Sequence, residues 1–375
     1  MTGASSPPPP ARGPVVVTGV GIVTAVGVTA AQTLTSIRAG IRRVTERPLG
    51  GAGGDPGEEG GVYLASGAEG LAAALFGSEP LDLALAAARE SLWDAGLYEP
   101  GDVEAAYRRK AVAVFLALPY ADSPWADPGA EAAFHDAAVT ARLLDRDRTT
   151  VVAVRGGHAG GVLALAAATA RLASGEIDVA LVGGQDAMLH PASVADLNQR
   201  SKLRTDRAPG GATPGEGSAF VVLERLDGSK RRRARAWAAV EAVHQDREAI
   251  PFDGTQPNQG DGATRAVNGA LAAAPSAGRV RDVFTDLNGE RGRFLEWALV
   301  ETRCFAALPE GWRKHAPASV VGDLGAASGG LLLALAARSV GDGKGSGGAA
   351  IVCSTAERGE RAAAVLGPVP AGGKR

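Results

Sequence analysis

The fold is decided by residues 150–184, which read TVVAVRGGHAGGVLALAAATARLASGEIDVALVGG. A β-branched run is followed by two glycines and an alanine-rich stretch of helical length, and His158 lies on the turn between them. Such a turn places one side chain at a helix N-terminus, where unpaired N–H groups and the helix dipole favour anions. Enzymes use the same turn to present a nucleophile beside an oxyanion hole. His158 is therefore a candidate general base or acyl acceptor, and the alternative is that it only caps or packs.

The alternation of strand and helix runs through the whole chain. Continuous apolar strands predict a sheet covered on both faces, and helices between successive strands predict that it is largely parallel. We therefore predict an α/β fold. Strands are expected at residues 14–18, 111–118, 150–154, 178–182, 218–224, 283–286, 349–353 and 362–366. Helices are expected at residues 30–41, 81–95, 129–144, 159–173, 262–274, 294–307 and 326–339.

Composition limits the classes of function. The 375 residues carry a formal net charge of −2, whereas a nucleic-acid binder needs a concentrated basic surface. The only two cysteines, Cys304 and Cys353, exclude a disulfide framework and a cysteine-rich zinc site. The histidines other than His158 lack metal-ligand spacing, so we expect neither a metal nor a cofactor. No apolar run approaches the ~20 residues that span a bilayer, and a cytoplasmic protein is expected.

Three segments are expected to lie outside the core. Residues 1–13 contain a proline run and are predicted to be a disordered tail. Residues 49–61 are rich in glycine and predict a surface loop. The basic run at residues 226–235, LDGSKRRRAR, is interpreted as a solvated linker, with an anion or acidic-protein patch as the alternative. This run divides the chain into predicted halves at residues 14–226 and 236–368.

Residues 18–27, TGVGIVTAVG, invite comparison with a dinucleotide-binding turn. Gly19 and Gly21 match its first two glycines, but Thr24 occupies the third position, and no acidic residue ends a second strand about twenty residues later. We therefore do not predict nucleotide binding. The two glycines, like Gly156 and Gly157, are expected to mark strand–turn junctions around a pocket.

Four segments together resemble the β-ketoacyl synthase (ketosynthase) family of the thiolase fold. They are VVVTGVGIVTAVG at 15–27, GEIDVALVGGQDA at 175–187, TPGEGSAFVVLER at 213–225 and VGDLGAASGGLLLALAA at 321–337. The resemblance covers nearly the whole chain after the tail. It implies a thiolase-like fold of two related α/β halves, each with a mixed sheet, stacked in α-β-α-β-α layers.

The resemblance also shows that the family's reactive residues are replaced. The acyl-accepting cysteine aligns with His158, the two catalytic histidines align with Asn288 and Asp323, and a lysine aligns with Ala318. Condensation in this family needs a thiolate and two imidazoles. Imidazole is a poor resting acyl carrier and an ionised Asp323 would repel an oxyanion, although Asn288 could still donate to one. Ordinary decarboxylative condensation is therefore not expected.

The replacements are nevertheless polar, which indicates that the pocket is retained. We predict that His158, Asn288, Glu290 and Asp323 converge as candidate catalytic residues, with Gly157, Gly215, Glu216 and Gly325 as candidate substrate-binding residues. A His–Asp pair could activate water or a hydroxyl for acyl transfer or thioester hydrolysis. The alternative is a polar cluster that satisfies its own hydrogen bonds and stabilises the junction between the halves.

Three functions in fatty-acid or polyketide-type metabolism follow from this resemblance. The first is an enzyme with non-condensing chemistry at His158, acting on acyl chains or acyl-thioesters. The second is a catalytically silent partner of an active ketosynthase, similar to a chain-length factor, and the third is a scaffold without an acyl ligand. The resemblance implies an acyl carrier protein or acyl-thioester as a partner. It also implies that residues 150–154 form the seam of a homodimer or of a heterodimer with a ketosynthase.

Overall fold

The computed structural model describes residues 13–49, 61–99, 102–103, 107–251, 256–342 and 348–370. Residues 1–12 of the predicted tail and residues 50–60 of the predicted surface loop lie outside these ranges. The ends of that loop meet, because Leu49 N donates a hydrogen bond of 2.8 Å to Gly61 O.

The described residues form fourteen strands and eleven α-helices. The strands are β1 (Val15–Thr24), β2 (Thr45–Pro48), β3 (Val62–Ala65), β4 (Tyr98–Glu99), β5 (Asp102–Val103), β6 (Val112–Leu118), β7 (Thr149–Arg155), β8 (Val179–Gly184), β9 (Gly217–Arg225), β10 (Ala238–Arg247), β11 (Val280–Thr285), β12 (Arg313–His315), β13 (Ala349–Thr355) and β14 (Glu360–Gly367). The helices are α1 (Ala30–Ala39), α2 (Leu71–Phe76), α3 (Pro80–Asp94), α4 (Ala130–Thr140), α5 (Gly160–Ser174), α6 (Pro191–Gln199), α7 (Leu226–Arg231), α8 (Asp261–Ala273), α9 (Arg291–Cys304), α10 (Ala318–Val321) and α11 (Ser328–Gly341). The predicted strands and helices are confirmed as elements, with shifts at their ends.

Ten of the strands form one sheet in the order β12-β11-β13-β14-β10-β1-β9-β8-β6-β7. Strands β1 and β6 to β9 form one half, and β10 to β14 form the other. Within each half the strands follow the same order, with the third strand at the outer edge and the first at the centre. The two halves meet where β1 and β10 pair antiparallel, with Val16 opposite Ala239 and Val17 opposite Ala238.

The sheet is mixed in each half, as the resemblance implies, whereas the largely parallel sheet expected from strand–helix alternation alone is not observed. In each half the three outer strands are parallel, whereas β9 and β14 run antiparallel to both of their neighbours. The reason for β14 is that a short turn joins it to β13, closed by a hydrogen bond of 2.9 Å from Ala356 N to Glu360 O. Such a short turn can join only antiparallel strands.

Helices α5 and α11 contact each other and the strands of both halves, and they lie in the central apolar cluster. Helices α3 and α4 pack on the outer face of the first half, and α8 and α9 on that of the second. Glycines allow α5 and α11 to approach closely: a Cβ atom on Gly161 would lie 2.7 Å from the backbone of Gly329. The junction between β7 and α5 therefore faces the junction that leads into α11.

Gly19 and Gly21 lie inside β1, so the prediction that they mark a turn beside a pocket is wrong. A Cβ atom at either position would overlap the backbone of α3, at Ser91 and Ala87 respectively. The two glycines are needed because α3 packs directly on this strand. The requirement comes from a tertiary contact rather than from a turn.

The basic run at residues 226–235 is more ordered than a solvated linker. Its first part forms α7, and the guanidinium of Arg232 pairs with the buried carboxylate of Glu224, with Nε 3.0 Å from Oε2. The linker prediction is therefore wrong for this part of the run. A buried carboxylate requires such a partner.

Candidate functional site

His158 lies on the tight turn that joins β7 to α5. The turn is a short 3₁₀ helix, Gly157–Ala159. Gly157 has a φ of 50°, a conformation that favours glycine. The side chain of His158 is buried, and the backbone carbonyl oxygen of the same residue accepts a hydrogen bond of 2.7 Å from Ser354 Oγ on β13. The turn therefore holds His158 at the boundary between the two halves.

Asp323 approaches His158 from the second half. Its backbone is held by residues 213–215, because Asp323 N donates to Thr213 O at 2.7 Å and Gly215 N donates to Asp323 O at 2.8 Å. Its Oδ1 lies 2.8 Å from His158 Nε2 and accepts a hydrogen bond of 3.0 Å from Gly325 N. Only 2% of Asp323 is exposed, so its side chain is almost fully buried.

Asn288 connects Asp323 to Glu290. Its Nδ2 donates to Asp323 Oδ2 and to Glu290 Oε1, each at 2.7 Å. Glu290 N in turn donates to Asn288 Oδ1 at 3.0 Å. The four predicted catalytic residues are therefore brought together. The expectation that Asn288 could donate to an oxyanion is not met, because carboxylates already occupy both N–H groups of its amide.

Arg293, which sequence reasoning missed, lies at the centre of this group. It is 2% exposed and belongs to the first turn of α9. Its Nη2 lies 3.0 Å from His158 Nδ1 and donates to Glu357 Oε1 at 2.8 Å. Its Nη1 donates to Asp286 Oδ2 at 3.1 Å, and its Nε to Glu290 Oε1 at 3.3 Å. The signal in the sequence was the i, i+3 spacing from Glu290, which brings side chains together on a helix surface.

We call these seven side chains the His158 cluster: His158, Asp286, Asn288, Glu290, Arg293, Asp323 and Glu357. Lys202 extends it, with Nζ 3.4 Å from Glu290 Oε2. In the region the structure describes, each side chain of the cluster has a hydrogen-bond or ion-pair partner. A buried polar group without a partner costs free energy, and this cluster avoids that cost.

The charges of the cluster favour a protonated His158. Burial and Arg293 lower the pKa of His158, but Asp323 and Glu357 outweigh them and raise it to about 10. Burial raises the pKa of Asp323, but the charge of His158 and its hydrogen bond lower it further, to about 2. The pKa of Glu357 is also held well below its usual range, because His158 and Arg293 outweigh the effect of burial. The carboxylates of the cluster outnumber its cations other than His158, and an imidazolium at His158 offsets part of this excess of negative charge.

Both ring nitrogens of His158 are engaged. Nε2 faces Asp323, while Nδ1 lies 3.0 Å from Arg293 Nη2 and 3.5 Å from Glu357 Oε1. A neutral ring with its proton on Nε2 accepts from Arg293 at Nδ1, and a protonated ring directs its second N–H towards Glu357. In neither state does a ring nitrogen keep a lone pair free to attack a thioester or to take a proton from water.

His158 borders a cleft of about 340 Å³. Two contacts join the two halves beside the cleft. Tyr120 OH donates to Glu360 Oε2 at 2.7 Å, and Arg358 pairs with Asp122 at 2.5 Å. Ten of its eighteen lining residues carry acidic or basic side chains. Charged or titratable side chains therefore outnumber the apolar ones along its walls. Its apolar lining is Pro119, Pro124, Trp125, Met188 and Leu197.

The four predicted substrate-binding residues have different positions. Gly157 lines the cleft. Gly215 and Gly325 hold the backbone and carboxylate of Asp323 as described above, and Gly325 has a φ of 54°. Glu216 is not brought to the cleft, since its carboxylate accepts a hydrogen bond of 2.8 Å from Ala68 N.

Glu296, on α9, also has a structural partner. Its carboxylate makes a two-pronged pair with Arg361, with distances of 2.5 and 2.7 Å, and both side chains are buried. Arg361 also donates to Ala356 O at 2.7 Å. This pair therefore anchors the loop that carries Glu357 into the His158 cluster.

Within the described ranges, no group of three or more His, Cys, Asp or Glu side chains is placed to hold a metal ion. Cys304 and Cys353 are buried free thiols, as expected for core cysteines. None of the helices in the described part of the chain is long and apolar enough to cross a membrane.

Comparison with solved structures places the fold among ketosynthases, which are thiolase-like. One similar structure is a type II polyketide synthase acyl-carrier protein in complex with its ketosynthase bound to the hexaketide, at 18% identity and a TM-score of 0.76, covering 96% of this chain and 100% of that one. The ishigamide ketosynthase/chain length factor matches at 20% identity and a TM-score of 0.73, with the same coverage. The ketosynthase from module 6 of the bacillaene synthase of Bacillus subtilis matches at 15% identity and a TM-score of 0.74, covering 96% of this chain and 72% of that one.

The family model for the beta-ketoacyl synthase N-terminal domain matches residues 12–228, and the chain therefore belongs to the beta-ketoacyl synthase family. A curated relative, the tetracenomycin polyketide synthase ketoacyl synthase alpha subunit of Streptomyces glaucescens, is 31% identical over 140 residues. That match covers 34% of this chain and about a third of the relative's length.

Proposed function

We propose that the chain is a non-condensing ketosynthase-type subunit of polyketide or fatty-acid synthesis, which pairs with a second ketosynthase-type chain through β7. The observation that carries the proposal is the engagement of both ring nitrogens of His158. A condensing enzyme needs a free nucleophile at this position, and His158 instead closes a network with Asp323 and Arg293. A catalytic group needs a reactive atom that can reach the substrate. The side chains of the His158 cluster do not present such an atom.

The edge of the sheet supports the pairing. Strand β7 is the outermost strand and pairs with β6 alone among the described strands. Its residues 151–154, VVAV, are only partly buried, whereas every residue of β6 is buried. An apolar edge strand with unpaired backbone groups is a template for another strand, which soluble proteins usually protect. A second chain added to β7 would cover both the apolar side chains and the backbone edge.

The known proteins indicate which chain would serve as partner. One similar structure combines a ketosynthase with a chain length factor, and another holds an acyl-carrier protein on its ketosynthase. We infer a corresponding role here, in which a ketosynthase that keeps its cysteine supplies the chemistry. A homodimer through β7 is the alternative arrangement. The acyl carrier protein or acyl-thioester would then be bound by the pair of chains.

The order of the layers and the limits of the two halves are also proposed. We infer that the five layers follow the thiolase order α-β-α-β-α and that the halves comprise residues 14–226 and 236–368. We also infer a cytoplasmic location.

Acyl transfer or hydrolysis at His158 is the second candidate, favoured by the fact that His158 and Asp323 line a cleft. It requires that Arg293 and Glu357 first release the ring. Incubation with acyl-thioesters distinguishes the candidates: our proposal expects no release of thiol above that from His158→Ala. Release that depends on His158 would overturn the proposal in favour of this enzyme.

Co-expression with a ketosynthase that retains its cysteine tests the pairing. We expect a complex with one copy of each chain, measured by size-exclusion chromatography with light scattering. Val152→Lys on β7 should abolish the complex, because it places a charge on the seam. The matched control is Val243→Lys, on interior strand β10, which is also partly buried against the central cluster. A homodimer or monomer that ignores every ketosynthase, or a complex that survives Val152→Lys, would contradict the proposal.

A further inference from the structure

Another cavity is lined in part by residues 287–289 and shares no lining residue with the cleft. Its volume is about 470 Å³, within the range of small-molecule sites. We call it the Arg42 groove, and its walls are Val44 and Leu64 near the β2–β3 hairpin, Leu287, and Phe294 on α9. These apolar walls offer surface on which an alkyl chain could be buried.

The described lining of the groove is positively charged. Arg42 and Arg204 lie on its rim, both are exposed, and none of the described residues that line it is acidic. Within the part of the chain that the structure describes, neither arginine forms an ion pair, although most of the other arginines do. Arginine is suited to a carboxylate because its planar guanidinium can donate two parallel hydrogen bonds.

Exposed apolar side chains also line the groove. Six large hydrophobic side chains are exposed among the described residues, and two of them, Val44 (39%) and Phe294 (48%), line the groove. Two more, Ile41 and Leu295, belong to the segments that carry the groove's lining residues. Clustered exposure of this kind marks a binding surface, whereas single exposed hydrophobic residues do not.

The groove is separate from the cleft at His158. Leu287, Asn288 and Gly289 form part of its lining, and the side chain of Asn288 belongs to the His158 cluster, so this segment borders both. Gly211 N donates to Gly289 O at 3.1 Å and holds the segment in place. A ligand in the groove would therefore contact the backbone of the cluster without entering the cleft.

We propose that the Arg42 groove binds a fatty carboxylate of medium or long chain. The alkyl chain packs on Val44, Leu64 and Phe294, and the carboxylate is held by Arg42 and Arg204. This site does not depend on the proposed pairing through β7, because it uses none of the residues of that strand.

Titration calorimetry of the full chain with dodecanoate tests the proposal, with dodecan-1-ol and butyrate as comparison ligands. We expect saturable binding of one dodecanoate per chain, and weaker binding of both comparison ligands, which lack the charge or the chain. The double variant Arg42→Ala/Arg204→Ala should weaken dodecanoate binding about tenfold or more, since hydrogen bonds to a charged group are lost. Phe294→Ser should weaken it as well.

Two controls locate the site. Leu75→Ser removes an equally exposed hydrophobic side chain elsewhere, and Trp125→Ala alters the cleft. We expect neither to change the affinity. The absence of saturable binding, or binding that is insensitive to the groove variants, would overturn the proposal. Loss of binding in Trp125→Ala alone would place the ligand in the cleft and would overturn it as well.

Discussion

Replacing Asp323 by asparagine tests whether His158 is held as an imidazolium. The substitution keeps the shape of the side chain but removes the charge that lies 2.8 Å from His158 Nε2. The new amide has only one oxygen, whereas the carboxylate of Asp323 accepts at both of its oxygens and takes the hydrogen bond of Asn288 Nδ2 at Oδ2. One of the donors around it therefore loses its acceptor. Removing one partner of a buried ion pair costs about 3–5 kcal/mol, because the other charge stays buried. We expect Asp323→Asn to lose this amount of unfolding free energy at pH 7.

The dependence on pH is the more specific result. The pKa of His158 rises from an ordinary 6.5 to about 10 on folding. The stabilisation is therefore complete below about pH 6.5 and is lost as the pH rises through 10, at about 1.4 kcal/mol per pH unit. Asp323 acts in the opposite range: its pKa is lowered to about 2, so its contribution is lost only in strong acid. Urea denaturation between pH 6 and pH 10 should show the slope in the parent and a much smaller slope in Asp323→Asn.

The control is Asp122→Asn, which removes an exposed carboxylate paired with Arg358 and should keep the slope of the parent. The NMR signals of the His158 ring provide a direct readout, since they should titrate near pH 10 in the parent. If His158 titrates near its ordinary pKa, or if Asp323→Asn keeps the full slope, the reasoning about the charge of the cluster is refuted. The ring would then be neutral and would accept from Arg293.

Three further outcomes follow from the same geometry. His158→Cys should not condense an acyl-thioester with a malonyl-thioester, because Arg293 still lies over that position and the family's two histidines are absent; β-ketoacyl product in a mass-spectrometric assay would contradict this. Arg293→Met should lower the unfolding free energy by about 3–5 kcal/mol, since it leaves carboxylates without their shared cation, and a loss below about 1 kcal/mol would show that the network is not interdependent. Gly161→Ala should lower the unfolding free energy by about 1–3 kcal/mol, and with it the thermal midpoint, because its Cβ would press on Gly329. Gly278→Ala, whose Cβ meets no atom within 4 Å, should leave the thermal midpoint unchanged.

Much of the fold could be predicted from sequence because its strands are short, apolar and β-branched. Strand β10 was not among the predicted strands, because its second part, VHQDR, is mostly exposed and lacks a continuous apolar run. The orientation of β14 follows from a short turn, and the role of Gly19 and Gly21 follows from the packing of α3. Those features depend on contacts between distant parts of the chain, which local patterns do not contain.

The candidate site could be predicted only in part. Resemblance to a known family located His158, Asn288 and Asp323, and the structure brings them together. It did not locate Arg293, because a basic residue near the start of an amphipathic helix is usually exposed. Glu357 was also missed, since its position depends on the buried pair of Glu296 and Arg361, 65 residues apart in sequence. Whether a charged side chain is buried can be judged only once the positions of all its partners are known.

The closed network of buried charges also has an evolutionary consequence. A lineage that once had the family's reactive residues could return to them only through several substitutions. Each single reversion within the network removes one member of a set whose charges hold one another, and the intermediate carries an unpaired charge in its core. Selection would remove most such intermediates, because natural proteins have little stability to spare. On the proposed function, the loss of condensing chemistry would be a one-way step, and descendants of this chain would diversify at its surfaces and partners rather than regain that reaction.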